Sequence, residues 1–150
     1  MMAFLIDTSI LARLANATDA QHAAAARAVL ELHRRGEVLH VTPQVLIEFR
    51  NVATRPVAAN GLGLSTADTE AQAATFEARF PLLAETPDIY PAWKALVAMA
   101  AVIGKQVHDA RLMAVCHVYN VTQLLTFNTA HFAPLAGFGP GVVVVHPASV

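Results

Sequence analysis

Ala3-Phe4-Leu5-Ile6-Asp7-Thr8-Ser9-Ile10-Leu11 decides how the chain is read. Four apolar residues suffice for a short buried strand, and a carboxylate follows at once. Two hydroxyl residues of the kind that cap helices come next, and a new apolar pattern runs on through Leu14. A strand that ends in Asp and turns straight into a helix aims that carboxylate at the carboxyl edge of a sheet. Ligands of open α/β folds bind along that edge. Asp7 is therefore the first candidate site residue.

Working outward, Asn16 to Asp19 reads as a turn and cap, and an Ala-rich helix follows from about Ala20 to Arg35, stopped by Gly36. Val38 to Val41 is a second short strand, and Thr42-Pro43 opens a helix that runs through Ala53 and ends before Pro56. Ala58 to Gly63 is a loop by its Asn-Gly content. Ser65 to Asp68 caps a fourth helix ending at Pro81, and Leu82 to Ala84 reads as a short edge strand. Asp88 caps a fifth helix to Ile103, with Pro91 in its first turn. A sixth helix spans about His108 to Tyr119. Val121 to Leu125 and Gly141 to Val145 are the last strands. Val142 to Val145 is apolar at every position, the pattern of a strand covered on both faces. Strands alternating with helices predict a parallel sheet with helices on both sides, helix-rich overall.

At 150 residues the chain is one domain by length, residues 1–150, and 55% hydrophobic content supplies a core. The formal net charge is −1, so a nucleic-acid partner must be held by a local patch or by metal ions. A single cysteine, Cys116, excludes an intrachain disulfide and suits a reducing compartment. The N-terminal apolar run is broken by Asp7 and has no basic flank, unlike a signal peptide. Ala95 to Ile103 is too short to cross a bilayer. The expectation is a soluble cytoplasmic protein without a membrane partner.

All but three of the eleven Asp and Glu residues sit in polar, capping or turn contexts. Asp7 follows an apolar strand. Glu48 lies on the flank of a helix face set by Val45, Phe49 and Val52, beside Asn51 and Arg55. Asp109 opens a helix along the stripe of Leu112, Cys116 and Tyr119, where the helix dipole favours an acid but the core side does not. Each has a plain alternative: Asp7 as a cap, Glu48 paired with Arg50 or Arg55, Asp109 as an ordinary first-turn acid. Together the three reach one sheet edge. Clustered carboxylates repel and are driven toward protonation unless a cation neutralises them. Oxygen donors without His or Cys suit hard cations such as Mg²⁺ or Mn²⁺, which serve phosphoryl chemistry.

Leu5-Ile6-Asp7-Thr8-Ser9, the Glu48 helix with Asn51-Val52, His108-Asp109-Ala110 and Leu125-Thr126-Phe127-Asn128, in that order, resemble the PIN domain. Within it, the chain resembles the VapC-type toxins of bacterial toxin–antitoxin modules, from Phe4 to Val145. The resemblance implies an α/β/α sandwich with a parallel sheet and Mg²⁺- or Mn²⁺-dependent RNA cleavage. It also implies a homodimer and inhibition by a cognate antitoxin. Asp7, Glu48 and Asp109 would be the metal-binding acids. One departure stands out. The family often carries a fourth acid in the stretch that here reads Thr126 to Phe132; this chain has none, and His131 stands where an acid is frequent. Thr126 and Asn128 remain as residues that orient the attacking water.

Arg13, Arg50, Arg55 and Arg111 are near the three acids in sequence and are candidates for phosphate contacts. The seven His residues show no metal spacing, although His108 adjoins Asp109. Cys116 reads as inert core packing. Tyr90, Trp93 and the Ala-rich helices read as core or dimer surface. No Gly-rich loop suggests a nucleotide cofactor. The alternative from another class is a catalytically weak or silent PIN-fold module that binds RNA or protein, for which the absent fourth acid is the argument. A phosphoaspartyl enzyme is disfavoured, because Ser9 replaces the second acid of haloacid-dehalogenase-type phosphatases.

Overall fold

Four of the five short apolar runs become strands, and β1 stops where its apolar residues do. The computed structural model describes residues 1–150. Strands β1 (Ala3–Ile6), β2 (Val38–His40), β3 (Gln123–Leu125) and β4 (Val143–Val145) form one sheet in the order β2-β1-β3-β4, parallel throughout. The helices are α1 (Thr8–Leu14), α2 (His22–Arg34), α3 (Pro43–Thr54), α4 (Thr66–Arg79), α5 (Ile89–Ala100), α6 (Gln106–Tyr119) and α7 (Thr129–Phe132). The result is the expected helix-rich α/β/α sandwich with a short parallel sheet.

The chain leaves β1 toward β2, then crosses back over β1 to reach β3. Right-handed crossovers that run in opposite directions place their helices on opposite faces of the sheet. They also open a crevice between the carboxyl ends of β1 and β3, where the strand order reverses. Leu5 pairs with His40 on one side and Leu124 on the other, and Ile6 pairs with Leu125. The ladder goes one step further, because the Asp7 amide donates to the Leu125 carbonyl at 3.1 Å.

The core lies on both faces of β1 and β3. Leu5, Ile6, Leu124 and Leu125 are fully buried, together with Phe49 of α3, Met113 of α6 and Phe132 of α7. Removing such an aromatic side chain costs about 3–5 kcal/mol. That packing holds the sheet edge still beneath the polar residues that line it.

Several local expectations give way to tertiary structure. β4 is an edge strand with Val143 57% exposed, so its apolar run does not mark burial on two faces. Leu82 makes only an isolated bridge to Val41, where an edge strand was expected. Helix α5 stops at Ala100 because Ala101 turns left-handed at φ 51°, short of Ile103. Asp88 precedes α5 without a side-chain capping bond. Helix α6 begins two residues earlier than its pattern suggested, and α7 is a turn too short to leave a periodic signal. Thr42 and Ser65 do cap their helices, accepting from Val45 N and Asp68 N.

Candidate active site

Asp7 is the residue that ends β1 and caps α1. Its backbone is extended, and one carboxylate oxygen, Oδ1, accepts from the Thr8 amide at 2.7 Å. The other, Oδ2, accepts from the Thr126 hydroxyl at 2.8 Å, across the β1–β3 crevice. That hydroxyl is saturated. Its one proton goes to Asp7, while its lone pairs take the Asn128 amide at 2.9 Å and the Ser9 hydroxyl at 3.3 Å. Ser9 is thereby the donor in the second contact, and it in turn accepts the Phe127 amide at 3.1 Å. The capping role and the site role of Asp7 are therefore not alternatives. One oxygen faces α1 and the other faces β3.

Glu48 projects from the middle of α3 and is half-buried. Its Oε2 accepts from the Thr8 hydroxyl at 2.9 Å, and its Oε1 from the Gln44 amide at 3.0 Å. The pairing with Arg50 or Arg55 is not formed. Arg50 makes a two-pronged contact with Glu70, both distances 2.8 Å, and Arg55 reaches the Asn60 carbonyl at 3.5 Å. Arg111 is likewise engaged, by Glu85 at 2.5 Å and Gln44 at 3.1 Å.

Asp109 sits in the first turn of α6, half-buried, and its carboxylate makes no hydrogen bond or ion pair within the protein. Burial pushes it up to about 6, and the neighbouring charges of Asp7 and Glu48 push the same way. His131 and His108 oppose the rise. An acid with no proton donor beside two others is the least settled group of the site.

Asp7, Glu48, Asp109 and Asn128 line one cleft of about 280 Å³, with Arg13 and Arg55 on its walls. Thr126 does not reach that surface. It is fully buried and acts on Asp7 from behind, so it does not touch water in the cleft. Arg13 rests over the Phe127 ring, 5.3 Å from its centre, and one nitrogen of Arg55 is buried without a partner. Ser9 and Gln44 complete the bonding around the acids; the sequence points to Ser9 within the strand-end motif, with no role toward Asp7, and does not point to Gln44. Their one available signal is spacing: two residues after Asp7, and one helical turn before Glu48.

The donor set fits a divalent hard cation in kind. It offers oxygen atoms, concentrated negative charge and one carboxylate with nothing else to bind. The three acids stand on separate walls of the cleft, and no group of three acidic, His or Cys side chains closes into a finished cage.

The profile of the PIN domain matches residues 4–137, and the chain belongs to that family. Solved structures agree in fold. VapBC2 from Rickettsia felis, bound to a DNA fragment from its promoter, is 15% identical, with a TM-score of 0.71 over 97% of this chain and 98% of that one. Mycobacterium tuberculosis VapC20, a sarcin-ricin loop cleaving toxin, is 25% identical, with a TM-score of 0.64 over 91% and 96%. A toxin–antitoxin complex from Klebsiella pneumoniae is 22% identical, with a TM-score of 0.62 over 95% and 96%. A search of curated protein sequences finds no match. No helix is long and apolar enough to cross a membrane.

Proposed function

We propose that the chain is a metal-dependent endoribonuclease, the toxin of a toxin–antitoxin pair, with Mg²⁺ or Mn²⁺ held by Asp7, Glu48 and Asp109. One observation carries the reading: three acids from three separate elements line one cleft at the crevice between β1 and β3. Membership of the PIN family and the sarcin-ricin loop cleavage named for the VapC20 toxin support RNA as the substrate class. When bound, the ion supplies the charge that acidifies water and offsets charge on the leaving oxygen. Asp7 is presented in a fixed rotamer by Thr8 and Thr126, and Glu48 by Thr8 and Gln44. The Asn128 side chain stands at the cleft as a neutral partner for water or phosphate. Arg13 and Arg55 face the strand as phosphate contacts.

An antitoxin partner is supported by the same neighbours, one of which is a toxin–antitoxin complex by its description. A homodimer is supported by α5, which leaves Tyr90 and Met99 65% and 59% exposed, with Ile103 just beyond it 80% exposed. Light scattering at tens of micromolar is expected to give a dimer; a strict monomer contradicts that part.

Cleavage of a panel of structured RNAs in Mg²⁺ or Mn²⁺, against the same reactions in EDTA, tests the main claim. Metal-dependent cuts that vanish with Asp7→Asn are expected. If every RNA survives while calorimetry shows the ion binding at the acids, the silent binding module is the better reading. The acids' failure to close a cage is the observation on its side.

A further inference from the structure

Asp109 is shared by a second cleft of about 350 Å³, whose other walls are Lys105, Gln106, His108 and His131. None of the five is hydrophobic. The side chains of Lys105, His108 and His131 make no hydrogen bond or ion pair inside the protein; His108 is engaged only through its carbonyl, which accepts from Gln44. They differ in this from Arg50 and Arg111, whose charge is already answered by Glu70 and Glu85. With a net charge of −1, the protein has no general attraction for a polyanion. Unanswered donors gathered beside the acids are therefore notable.

We propose that this cleft is a second phosphate subsite, which holds the phosphodiester neighbouring the one that is cut. This rests on the ribonuclease reading. A single RNA strand repeats a phosphate at every nucleotide. A strand laid across Asp109 presents one phosphate to the acidic cleft and the next to the basic one. The Lys105 ammonium offers three donors, the two imidazoles offer ring N–H groups, and the Gln106 amide offers two more to phosphate or ribose oxygens. The charge-assisted contact fixes the strand's register, whatever the base sequence. His131 thus contributes a phosphate contact at a position where the resemblance anticipated an acid.

The test is binding of a fluorescein-labelled single-stranded 12-nucleotide RNA over a KCl series, together with KM and kcat for cleavage. The variant is Lys105→Gln with His131→Gln, both on exposed side chains, and the control is Arg27→Gln on the exposed face of α2. Loss of a charged contact is expected to weaken binding about tenfold. The slope of log affinity against log salt should fall by about 0.7, the value for one phosphate on a single strand. KM should rise more than kcat falls, while the control follows wild type. An unchanged affinity and slope in a wild type that does bind and cut RNA overturns the subsite alone. A loss in kcat with KM and slope intact also overturns it, by placing the two residues in the chemistry. A wild type that neither binds nor cuts RNA overturns both the ribonuclease reading and the subsite.

Discussion

Asp7 and Asp109 line the same cleft, yet the protein treats them oppositely. Asp7 is 5% exposed and has a donor on each oxygen, one from its own helix and one from the neighbouring strand. Asp109 is half-buried, without a donor, and pushed up to about 6. The contrast teaches where the fold has finished the site and where it has left work undone. The sheet side is built by the chain itself, through Thr126, Ser9 and the backbone of Phe127 and Asn128. At the start of α6, Asp109 carries a carboxylate that no donor of the chain answers.

The sharpest way to break that contrast is Asp7→Asn. Asparagine caps a helix as well as aspartate does, and its amide can donate to Thr126 once the Thr126 hydroxyl turns its own proton to Ser9, so the thermal midpoint should hold. Cleavage should fall by more than the roughly 10–100-fold that loss of an outer-shell partner costs. A stability loss as large as the activity loss would place Asp7 with the scaffold. Next comes Thr126→Val, which keeps the shape and removes the hydroxyl. It strips Asp7 of a donor and leaves the Asn128 amide unmet, at a cost of about 1–3 kcal/mol by chemical denaturation. Metal affinity by calorimetry should drop about 10–100-fold.

A smaller effect is expected from His131→Asp. The added acid beside Asp109 should raise Mn²⁺ affinity several-fold and weaken RNA binding in the same assay, because a phosphate donor is lost. Gains in both would remove the phosphate role of His131. The smallest effect is a pH effect in the metal-free protein. The carboxyl of Asp109 holds its proton more tightly folded, about 6, than at its ordinary 3.8. Its contribution is thus fully present below about 3.8 and lost as pH rises through about 6. Asp109→Asn should therefore raise the melting midpoint of the ion-free protein at pH 7.5, and the gain should vanish near pH 4. With saturating Mn²⁺ the sign should reverse.

Much of this was legible in the residues. The step from Ile6 to Asp7 to Thr8 marks a strand end and a helix start in one place, so the sheet edge follows from local chemistry. Thr42-Pro43 and Ser65 announce their helices because a capping hydroxyl needs no tertiary help. Val143 misled for the opposite reason: an apolar strand reads the same at an edge as in the centre, and only the strand order tells them apart. Ala101 adopts a left-handed turn that an alanine does not advertise. Thr126 looked like a residue for the cleft and turned out to stand behind it. Its burial depends on β3 pairing with β1, which composition does not reveal. The cleft of Lys105 and His131 was hidden similarly, since α6 and α7 meet only in space.

The hydrogen bond from Thr126 to Asp7 spans 119 positions of the chain. Contacts of such long sequence separation form late, after the loops between them have been closed. A polypeptide halted at Asn120 already contains Asp7, Glu48 and Asp109, but has no β3 for β1 to lie against and no hydroxyl to set the first carboxylate. The ordered site is therefore a property of the completed chain, timed by the emergence of its C-terminal strands. During synthesis the three acids travel together on an unfinished sheet that cannot yet aim them.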